Sequence, residues 1–314
     1  MNNPSIELRS WRQFAAVAQH LHFGHAATAL NMTQPPLTQA IAKLEGVLGI
    51  RLFDRSKRRV QLTVAGAALL PEVVQLLERA QSLAPFARAA ADGQRGRLRL
   101  AFVSTVGYGL LPLWVRAFRS TLPYLQLDLI EATGDVQLEA FARGDIDAGF
   151  MLHAPGFAPA GLARLAVACE PLVLALPDQH PLARRARAPS LEEILDAALV
   201  VFPRKIAPSL FDAIDGLYRS AGRVPLIAQQ ANQMQTIVNL VSAGLGVAWV
   251  PHSVTQFQRP GVVYRPLRSG ARSRAARADT ILCETSLVWN PQVSNPALGR
   301  FVAFATDRAQ SSPC

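Results

Sequence analysis

The chain has 314 residues, of which half are hydrophobic, with three cysteines and a formal net charge of +10. This length exceeds that of one typical domain, and the apolar content is sufficient for a buried core. The basic charge agrees with a polyanionic partner, although an arginine-rich composition alone is weak support for one. Cys169, Cys283 and Cys314 follow no metal-binding or redox spacing, which suits a reducing cytosol.

Neither a targeting segment nor a membrane span is predicted. Residues 1–7 lack the charged and then apolar pattern of a signal peptide. The longest apolar candidate, 236–251, contains Asn239, Ser242 and three turn formers, so it is interpreted as a helix, a turn and a buried strand. We therefore expect a cytoplasmic protein without a membrane partner.

In chain order, the first pattern is three short helices. Residues 7–21 place apolar side chains at helical spacing, and residues 24–31 form a second helix that buries small alanines. Thr33 is a good N-cap for the third helix. The first turn of that helix tolerates Pro35 and Pro36, because its backbone N–H groups have no intrahelical partners. This pattern is typical of a helix-turn-helix.

The outward face of the third helix carries side chains suited to base edges. Gln can offer a paired donor and acceptor to adenine, and Thr can bond a base or contact a thymine methyl. Residues 50–62 then alternate like two strands around a basic turn that would meet phosphates or a minor groove. The candidate DNA contacts are Gln34, Thr38, Gln39, Lys43, Arg55, Lys57 and Arg58. A helical hairpin with a solvated basic loop is the alternative, but the winged pattern favours double-stranded DNA.

Residues 64–92 are predicted to form one long helix with Thr63 as its N-cap. Its apolar residues recur near heptad spacing, and such a stripe outside a domain favours a partner helix. We therefore expect a homodimer through this helix; the alternative is a helix packed on its own domain. Pro71 and Pro85 should bend or stiffen it locally.

Beyond residues 92–96 the pattern changes to alternating strands and helices. Strands are predicted at 98–103, 126–131, 147–151, 172–176, 200–202, 226–228 and 247–250, with helices at 107–120, 134–143, 208–221 and 232–243. This alternation predicts an α/β domain with mainly parallel sheets. The six histidines lack metal-ligand spacing, and no Walker loop, dinucleotide fingerprint or nucleophile elbow occurs. We therefore expect no metal, no cofactor and no enzyme activity.

Ligands of open α/β sheets bind at the carboxyl ends of the strands. Ser104 and Thr105 end the first strand, where hydroxyls and free N–H groups suit a carboxylate; an ordinary helix cap is an equal alternative. Thr133 has the same position after the second strand. Phe202 could line an aromatic pocket, and Arg204 could pair with an anion or simply be an exposed loop charge. Gln233 could reach the same cleft from a helix start.

The N-terminal motif resembles that of the LysR-type transcriptional regulators. The resemblance is carried by stretches such as Thr33-Gln34-Pro35-Pro36-Leu37-Thr38, Leu44-Glu45, Leu52-Phe53-Asp54-Arg55 and Leu62-Thr63, and it continues through nearly the whole chain. It implies recognition-helix contacts at Gln34, Pro35, Thr38 and Gln39, and wing contacts at Arg55 and Arg58. Two residues depart from the family pattern: position 39 is often Arg, and Gly24 stands where Ser or Thr usually caps the second helix.

The resemblance also implies the organisation of the chain. It predicts a winged helix-turn-helix DNA-binding domain at 1–63, a linker and dimerisation helix at 64–92, and an effector-binding domain at 93–314. The last would contain two Rossmann-like lobes joined by two crossover strands, as in periplasmic binding proteins. Lobe I would comprise about 96–168 and 269–304, and lobe II about 169–266.

Within the family, the C-terminal domain is most similar to regulators of aromatic and chloroaromatic catabolism, such as those of benzoate, catechol and chlorocatechol pathways. The stretches that carry this similarity are 110–112, 143–150 and 201–204. Positions that border the inducer in that subgroup match Ser104, Thr105, Thr133, Phe202, Pro203 and Arg204. Leu152 replaces a common Arg, so we expect a more apolar wall and a monocarboxylate, a phenol or another mostly apolar aromatic effector.

The sequence therefore predicts a ligand-responsive transcriptional regulator, and activation of a catabolic operon is the commoner family outcome. Its expected partners are promoter DNA, a small-molecule effector, RNA polymerase and further copies of itself, with a homotetramer as the final assembly. A ligand-independent repressor of the same family is one alternative. The winged motif argues against a transport solute-binding protein, and the missing catalytic set argues against an enzyme with a DNA-binding appendage.

Overall fold

The computed structural model describes residues 5–56, 59–268 and 281–309. Its internal contacts divide the chain into two compact units, Met1–Arg88 and Ala89–Cys314. Within the described residues, no helix combines the length and the apolar character that crossing a bilayer requires.

The first unit is a winged helix-turn-helix, as predicted. Its elements are the helices α1 (Leu8–His20), α2 (Phe23–Ala29) and α3 (Gln34–Leu48), the antiparallel strands β1 (Phe53–Ser56) and β2 (Arg59–Leu62), and the long helix α4 (Val64–Ala91). Leu21 and Asn31 adopt left-handed backbone conformations between the first three helices. Asn is one of the few non-glycine residues that visits this region readily, so it suits the turn before α3.

The helices of this unit pack around a small apolar core. Phe14, Leu37 and Ile41 are fully buried. The ring of Phe53, at the start of the wing, lies 5.5 Å from the ring of Phe14. Burial of each such side chain contributes roughly 1.5–3 kcal/mol, so Phe53 attaches the wing to the helices.

Helix α4 begins at the predicted N-cap. The Thr63 hydroxyl accepts the backbone N–H of Gly66 at 3.0 Å and donates to the Arg51 carbonyl at 2.8 Å. The cap therefore satisfies one of the unpaired N–H groups of the first turn and also ties α4 to the segment before the wing.

The two faces of α4 have different surroundings within one chain. Val73 is buried in the core of the winged unit, so the first half of the helix packs on its own domain. Leu76, Leu83 and Phe86 are exposed. Leu76 and Leu83 thus present apolar surface beside the face that is packed.

The second unit is an α/β domain with two lobes. Its strands are β3 (Gly96–Phe102), β4 (Leu125–Glu131), β5 (Ala148–His153), β6 (Ala163–Pro177), β7 (Leu199–Val201), β8 (Ile227–Gln230), β9 (Ala248–Pro251), β10 (Val262–Arg265) and β11 (Leu282–Trp289). Its α-helices are α5 (Leu110–Thr121), α6 (Gly134–Arg143), α7 (Pro208–Ser220), α8 (Met234–Ser242) and α9 (Pro296–Ala309). Short 3-10 helices span Ser104–Tyr108, Arg204–Ile206 and His252–Gln256.

Strand β6 is shared by the two lobes. Its residues 163–171 pair with β11, which continues through β5 and β3 to β4 and forms the first lobe's sheet. Its residues 172–177 pair with β9 and β10 of the second lobe. Strands β7 and β8 form a separate pair that touches the segment before β9 through a Leu199–Val247 bridge.

The expectation of mainly parallel sheets is wrong. Strand β3 pairs in parallel with β4 and β5, and β7 with β8. Every pairing made by β6 or β11 is antiparallel. These two long strands run between the lobes rather than returning through a crossover helix, so the sheet is mixed.

The sequence pattern does not predict β10, β11 or α9. Strand β11 contains six consecutive buried residues and therefore lacks the alternation that identifies a half-buried strand. Of the stretch 269–304 expected to complete the first lobe, residues 269–280 lie outside the described part of the chain.

Each lobe has its own apolar core. Phe118, Phe150 and Phe301 belong to the core of the first lobe, and Tyr218 belongs to that of the second. Leu152, near the end of β5, packs against both cores. The region around Leu152 is therefore where the two lobes meet.

The start of α4 offers a test of the packing in the first unit. A methyl group on Gly66 would lie 2.2 Å from the Leu52 carbonyl oxygen, whereas one on Gly46 in α3 would have no atom within 4 Å. Gly66→Ala should destabilise the unit by about 1–3 kcal/mol through overpacking. Gly46→Ala should stabilise it by up to about 1 kcal/mol through helix propensity. Hydrogen exchange of peptides from 8–62 in the full chain measures both, and equal effects would contradict the close approach.

Candidate DNA-binding surface and effector cleft

The exposed side of α3 carries the predicted base-contacting residues. Gln34, Pro35, Gln39 and Lys43 are exposed, opposite the buried side of the helix. Thr38 is half-buried, and its hydroxyl donates to the Gln34 carbonyl at 3.0 Å. These five residues recur at helical spacing and therefore share one face.

The start of α2 differs from the expectation that Gly24 caps this helix. The N-cap is His22, whose Nδ1 accepts the backbone N–H of His25 at 3.2 Å. A methyl group on Gly24 would lie 3.0 Å from the His22 ring and 3.5 Å from the Gln34 Oε1. Gly24 therefore provides room where the capping imidazole and the first side chain of the recognition helix meet.

The wing is fixed to the recognition helix by one carboxylate. Glu45 Oε1 accepts the backbone N–H groups of Leu52 at 2.8 Å and Phe53 at 3.1 Å. The sequence indicates Glu45 only as part of a family motif and does not predict this contact. Arg55 belongs to β1, while Lys57 and Arg58 lie outside the described residues.

A cleft between the two lobes contains six of the eight predicted effector residues. Its volume is about 510 Å³ including its opening to solvent, and the six are Ser104, Thr105, Thr133, Leu152, Phe202 and Gln233. They come from five separate stretches of sequence that meet at the carboxyl ends of strands β3, β4, β5 and β7 and at the start of α8. This agrees with the position at which α/β sheets bind ligands.

The remaining lining residues are those that sequence reasoning missed. They are mostly apolar and comprise Val103, Ile206, Ala207, Leu210, Asn232, Met234 and Ile237. Met234 and Ile237 are three residues apart on α8, immediately after the predicted Gln233. Their helical spacing could therefore have indicated that Met234 and Ile237 lie on the same face of α8.

The hydroxyl of Thr105 is buried without a hydrogen-bond partner in the part of the chain that the structure describes. Ser104 and Thr105 begin a 3-10 helix, and α5 starts only at Leu110, later than the predicted helix at 107–120. The Thr105 side chain is buried, and its Oγ1 has no hydrogen-bond partner among the described residues. A buried polar group without a partner costs roughly 1–3 kcal/mol, which a ligand could offset by bonding it.

The structure places Pro203 and Arg204 outside the cleft lining. Arg204 donates from Nε and Nη2 to the two carboxylate oxygens of Asp212 at 2.6 and 2.7 Å. This exposed bidentate pair raises the pKa of Arg204 and lowers that of Asp212. Arg204 therefore corresponds to the exposed-loop alternative. No charged side chain is found among the described residues that line the cleft.

A second cavity, here called the outer cavity, has a volume of about 1190 Å³ including its opening to solvent and shares Leu152, Ile206 and Ala207 with the cleft. Beside the outer cavity, the two lobes make a close backbone contact. A methyl group on Gly134, at the start of α6, would lie 2.4 Å from the Ile206 carbonyl oxygen. The absence of a side chain at Gly134 thus permits this contact between the lobes.

An ion pair joins the lobes beside this contact. The Thr133 hydroxyl donates to Asp135 Oδ1 at 2.5 Å, and Lys205 Nζ lies 3.1 Å from Asp135 Oδ2. Burial acts to raise the pKa of Asp135, but hydrogen bonds from Thr133, Lys205 and the Val136 backbone outweigh it, so the pKa lies below its usual value. Asp135 is therefore ionised at neutral pH.

Comparison with protein families decides the identity of the chain. Residues 8–67 match the bacterial regulatory helix-turn-helix protein of the lysR family, and residues 91–310 match the LysR substrate binding domain. The chain belongs to the LysR family of transcriptional regulators. This LysR-type regulator therefore binds DNA and is not an enzyme. Among the residues that the structure describes, no group of His, Cys, Asp or Glu could hold a metal ion.

Individual relatives cover nearly the whole LysR-type regulator. It is 41% identical to the HTH-type transcriptional regulator IlvR of Caulobacter vibrioides over 96% of this chain and 98% of that protein. It is 33% identical to the Hca operon transcriptional activator HcaR of Escherichia coli over 98% and 99%. Full-length CbnR in complex with its target DNA is 30% identical, with a TM-score of 0.77, over 97% of this chain and all of CbnR.

The Glu45 contact yields a prediction for the DNA-binding surface. Glu45→Ala leaves the N–H groups of Leu52 and Phe53 without their acceptor, at a cost of about 1–3 kcal/mol for each group that stays buried. We expect faster hydrogen exchange in residues 50–62 and weaker operator binding. Glu72→Ala removes an equal charge from the exposed surface of α4 and serves as the control. Equal DNA affinity in the two variants would show that the hydrogen bonds to Glu45 do not position the wing.

Proposed function

We propose that this regulator activates a catabolic operon when a small aromatic or carboxylate effector binds in the cleft between the lobes. The cleft is the observation that carries the proposal. It combines an apolar wall that includes Phe202 and Leu210 with a few hydroxyl and amide groups, as small-molecule sites usually do. The description of HcaR as an operon activator supports activation.

The lining favours an effector that is mostly apolar. A dianion would enter a cleft whose described lining contains no cation, and burial of unpaired charge is costly. A monocarboxylate or a phenol could bond the unpartnered Thr105 hydroxyl and place its body against Phe202. Neighbouring Ser104, Thr133 and Gln233 complete the proposed polar contacts, with Leu152 as apolar wall. Pro203 and Arg204, which lie outside the cleft lining, would not contact the effector.

We further propose that residues 34–45 enter the major groove of promoter DNA. Gln34, Pro35, Thr38, Gln39 and Lys43 would meet bases, and Arg55, Lys57 and Arg58 would meet the backbone or a minor groove. The exposure of the α3 side chains supports this, as does the solved complex of the related CbnR with its target DNA. Because Gln39 lacks a charge, the wing would supply more of the affinity.

The proposed assembly follows from the linker helix. Residues 1–63 would bind DNA, 64–92 would dimerise, and 93–314 would sense the effector. The exposed Leu76 and Leu83 of α4 support pairing with a second copy of the helix. Two such copies would read a dyad-symmetric site, and further association would give a tetramer in the cytoplasm that engages RNA polymerase.

Effector binding would act by shifting a conformational equilibrium. A ligand can change the DNA-bound arrangement only if it binds two states of the domain with different affinities. The contact between Gly134 and Ile206 and the Asp135–Lys205 pair both join the lobes beside the cleft. A change in their packing is therefore the proposed source of that difference.

The DNA assignment is tested by two substitutions with different expected signatures. Thr38→Ala should cost about 1–3 kcal/mol on the cognate site and relax sequence preference, because a base contact is lost. Arg58→Ala should weaken binding to all sequences and reduce the salt slope by about one, because a phosphate contact is lost. Affinity titrations at several salt concentrations, on cognate and scrambled DNA, measure both. Equal losses on every sequence for both variants would contradict the groove assignment.

The effector proposal is tested by thermal shift with benzoates, phenols and muconates. We expect stabilisation by monocarboxylates or phenols and little by muconate, with about 2.7 kcal/mol gained at a ligand concentration of 100 times Kd. Thr105→Val should reduce the ligand-induced shift while sparing the unliganded protein. Arg204→Ala should leave the ligand-induced shift unchanged, since Arg204 bonds Asp212 outside the cleft. A shift lost only in the Arg204 variant would reverse these roles.

A further inference from the structure

Thr133 lines the effector cleft, and its hydroxyl proton is already used in a hydrogen bond within the protein. The Oγ1–H donates to Asp135 Oδ1 at 2.5 Å. A hydroxyl has a single proton and two lone pairs, and an ionised carboxylate can only accept. While this bond persists, the Thr133 oxygen can serve any further group only as a hydrogen-bond acceptor.

The surroundings of Asp135 keep this arrangement in place. Its other oxygen, Oδ2, lies 3.1 Å from Lys205 Nζ, and its side chain is only 20% exposed. Asp135 also lies in the first turn of α6, where the helix dipole favours negative charge. Thr133 is the N-cap residue of α6, but its side chain makes no capping bond. Its lone pairs are therefore not used by the helix.

The Thr105 hydroxyl, which also belongs to the cleft lining, differs from that of Thr133. Thr105 Oγ1 is buried and has no partner among the described residues, so it can donate or accept. Arg204, the cation expected near the ligand, is bound to Asp212 elsewhere. The described lining of the cleft thus includes the Thr105 hydroxyl, whose polarity is free, and the Thr133 hydroxyl, which is fixed as an acceptor, and it includes no charged residue.

We propose that Asp135 is a positioning residue that determines effector specificity: by holding the Thr133 proton, it selects effectors that present an O–H or N–H donor to Thr133. The effector class is therefore a neutral or monoanionic small molecule with a hydroxyl or amino group, whose second polar group meets Thr105. This inference rests on the proposed function of the cleft. An ether or carboxylate oxygen placed at Thr133 would face lone pairs, and a deoxy analogue would leave the oxygen without a partner.

Lys205 makes this selection dependent on the contact between the lobes. It belongs to the Arg204–Ile206 turn of the second lobe, whereas Asp135 and Thr133 belong to the first. When the lobes are together, Lys205 holds the carboxylate that holds the Thr133 proton. The acceptor character of Thr133 is therefore strongest in the state in which the cleft is formed.

The test uses matched ligands on the full chain, measured by isothermal titration calorimetry. The probes are the three hydroxybenzoate isomers, the corresponding methoxybenzoates and benzoate. In the wild-type protein, at least one hydroxybenzoate should bind about 10-fold to 100-fold more tightly than its methoxy counterpart and than benzoate, as expected for one buried hydrogen bond. Thr133→Val should abolish this preference by weakening only the hydroxy ligand.

Asp135→Ala should release the Thr133 proton and bring the methoxy ligand to within about twofold of the hydroxy ligand. Asp135→Asn, which keeps the shape of the side chain, should also reduce the preference because its amide can donate to Thr133. Glu139→Ala removes an exposed acid from the same helix and should leave the preference intact. Circular dichroism of each variant ensures that only folded protein is compared.

Three results would overturn the inference. The first is equal wild-type binding of hydroxy and methoxy probes, and the second is a preference that persists fully in Asp135→Ala and Asp135→Asn. In both cases binding itself would still support the effector cleft. The third is no binding of any probe to the wild-type protein, which would overturn the aromatic-carboxylate effector proposal and this inference with it.

Discussion

The effector-binding domain depends on one continuous strand that two lobes share. Strand β6 pairs with β11 along its first part and with β9 and β10 along its second. Because backbone hydrogen bonds run along its whole length, the two sheets cannot separate without breaking a strand pairing. The lobes can still differ in their relative angle, and the space between them becomes the cleft. The cleft residues therefore come from stretches far apart in sequence that only this topology unites.

Small contacts in each unit determine how its functional surface is presented. In the winged unit, two hydrogen bonds to the Glu45 carboxylate set the wing against the recognition helix. In the effector domain, the Gly134–Ile206 approach and the Asp135–Lys205 pair join the lobes beside the cleft. The Glu45 hydrogen bonds and the Gly134–Ile206 approach both involve backbone groups, whose geometry varies little. They thereby position side chains that must meet DNA or a ligand.

The sequence predicts the winged unit well because its signals are local. Thr63, Asn31 and the prolines of α3 each specify a cap or a turn from neighbouring residues alone. Most strands of the effector domain were likewise predictable, but β11 was not, since a fully buried run lacks periodicity. The antiparallel direction of β6 and β11 could not be predicted either, because strand direction depends on which distant segments pair.

The cleft shows the same division between local and distant information. Ser104, Thr105 and Phe202 were predictable because they follow strands whose carboxyl ends bind ligands. The position of Arg204 was not predictable, because its partner Asp212 lies in the following helix and competes with any ligand for the guanidinium group. The Asp135 contact was also invisible in the pattern, because nothing in the spacing of Thr133 and Asp135 shows which lone pair or proton faces the cleft.

The close approach at Gly134 predicts how a mutant allele at this position would behave. Its codon specifies a position in the contact between the lobes where even a single methyl group would collide with the Ile206 carbonyl oxygen, 2.4 Å away. A missense allele there would disturb the sensing domain and leave the winged unit, a separate compact unit, able to occupy the operator. In a cell carrying both alleles, the mixed oligomers that follow from the proposed assembly would hold the promoter without responding to effector. Such an allele would be dominant, whereas a null allele of the same gene would be recessive.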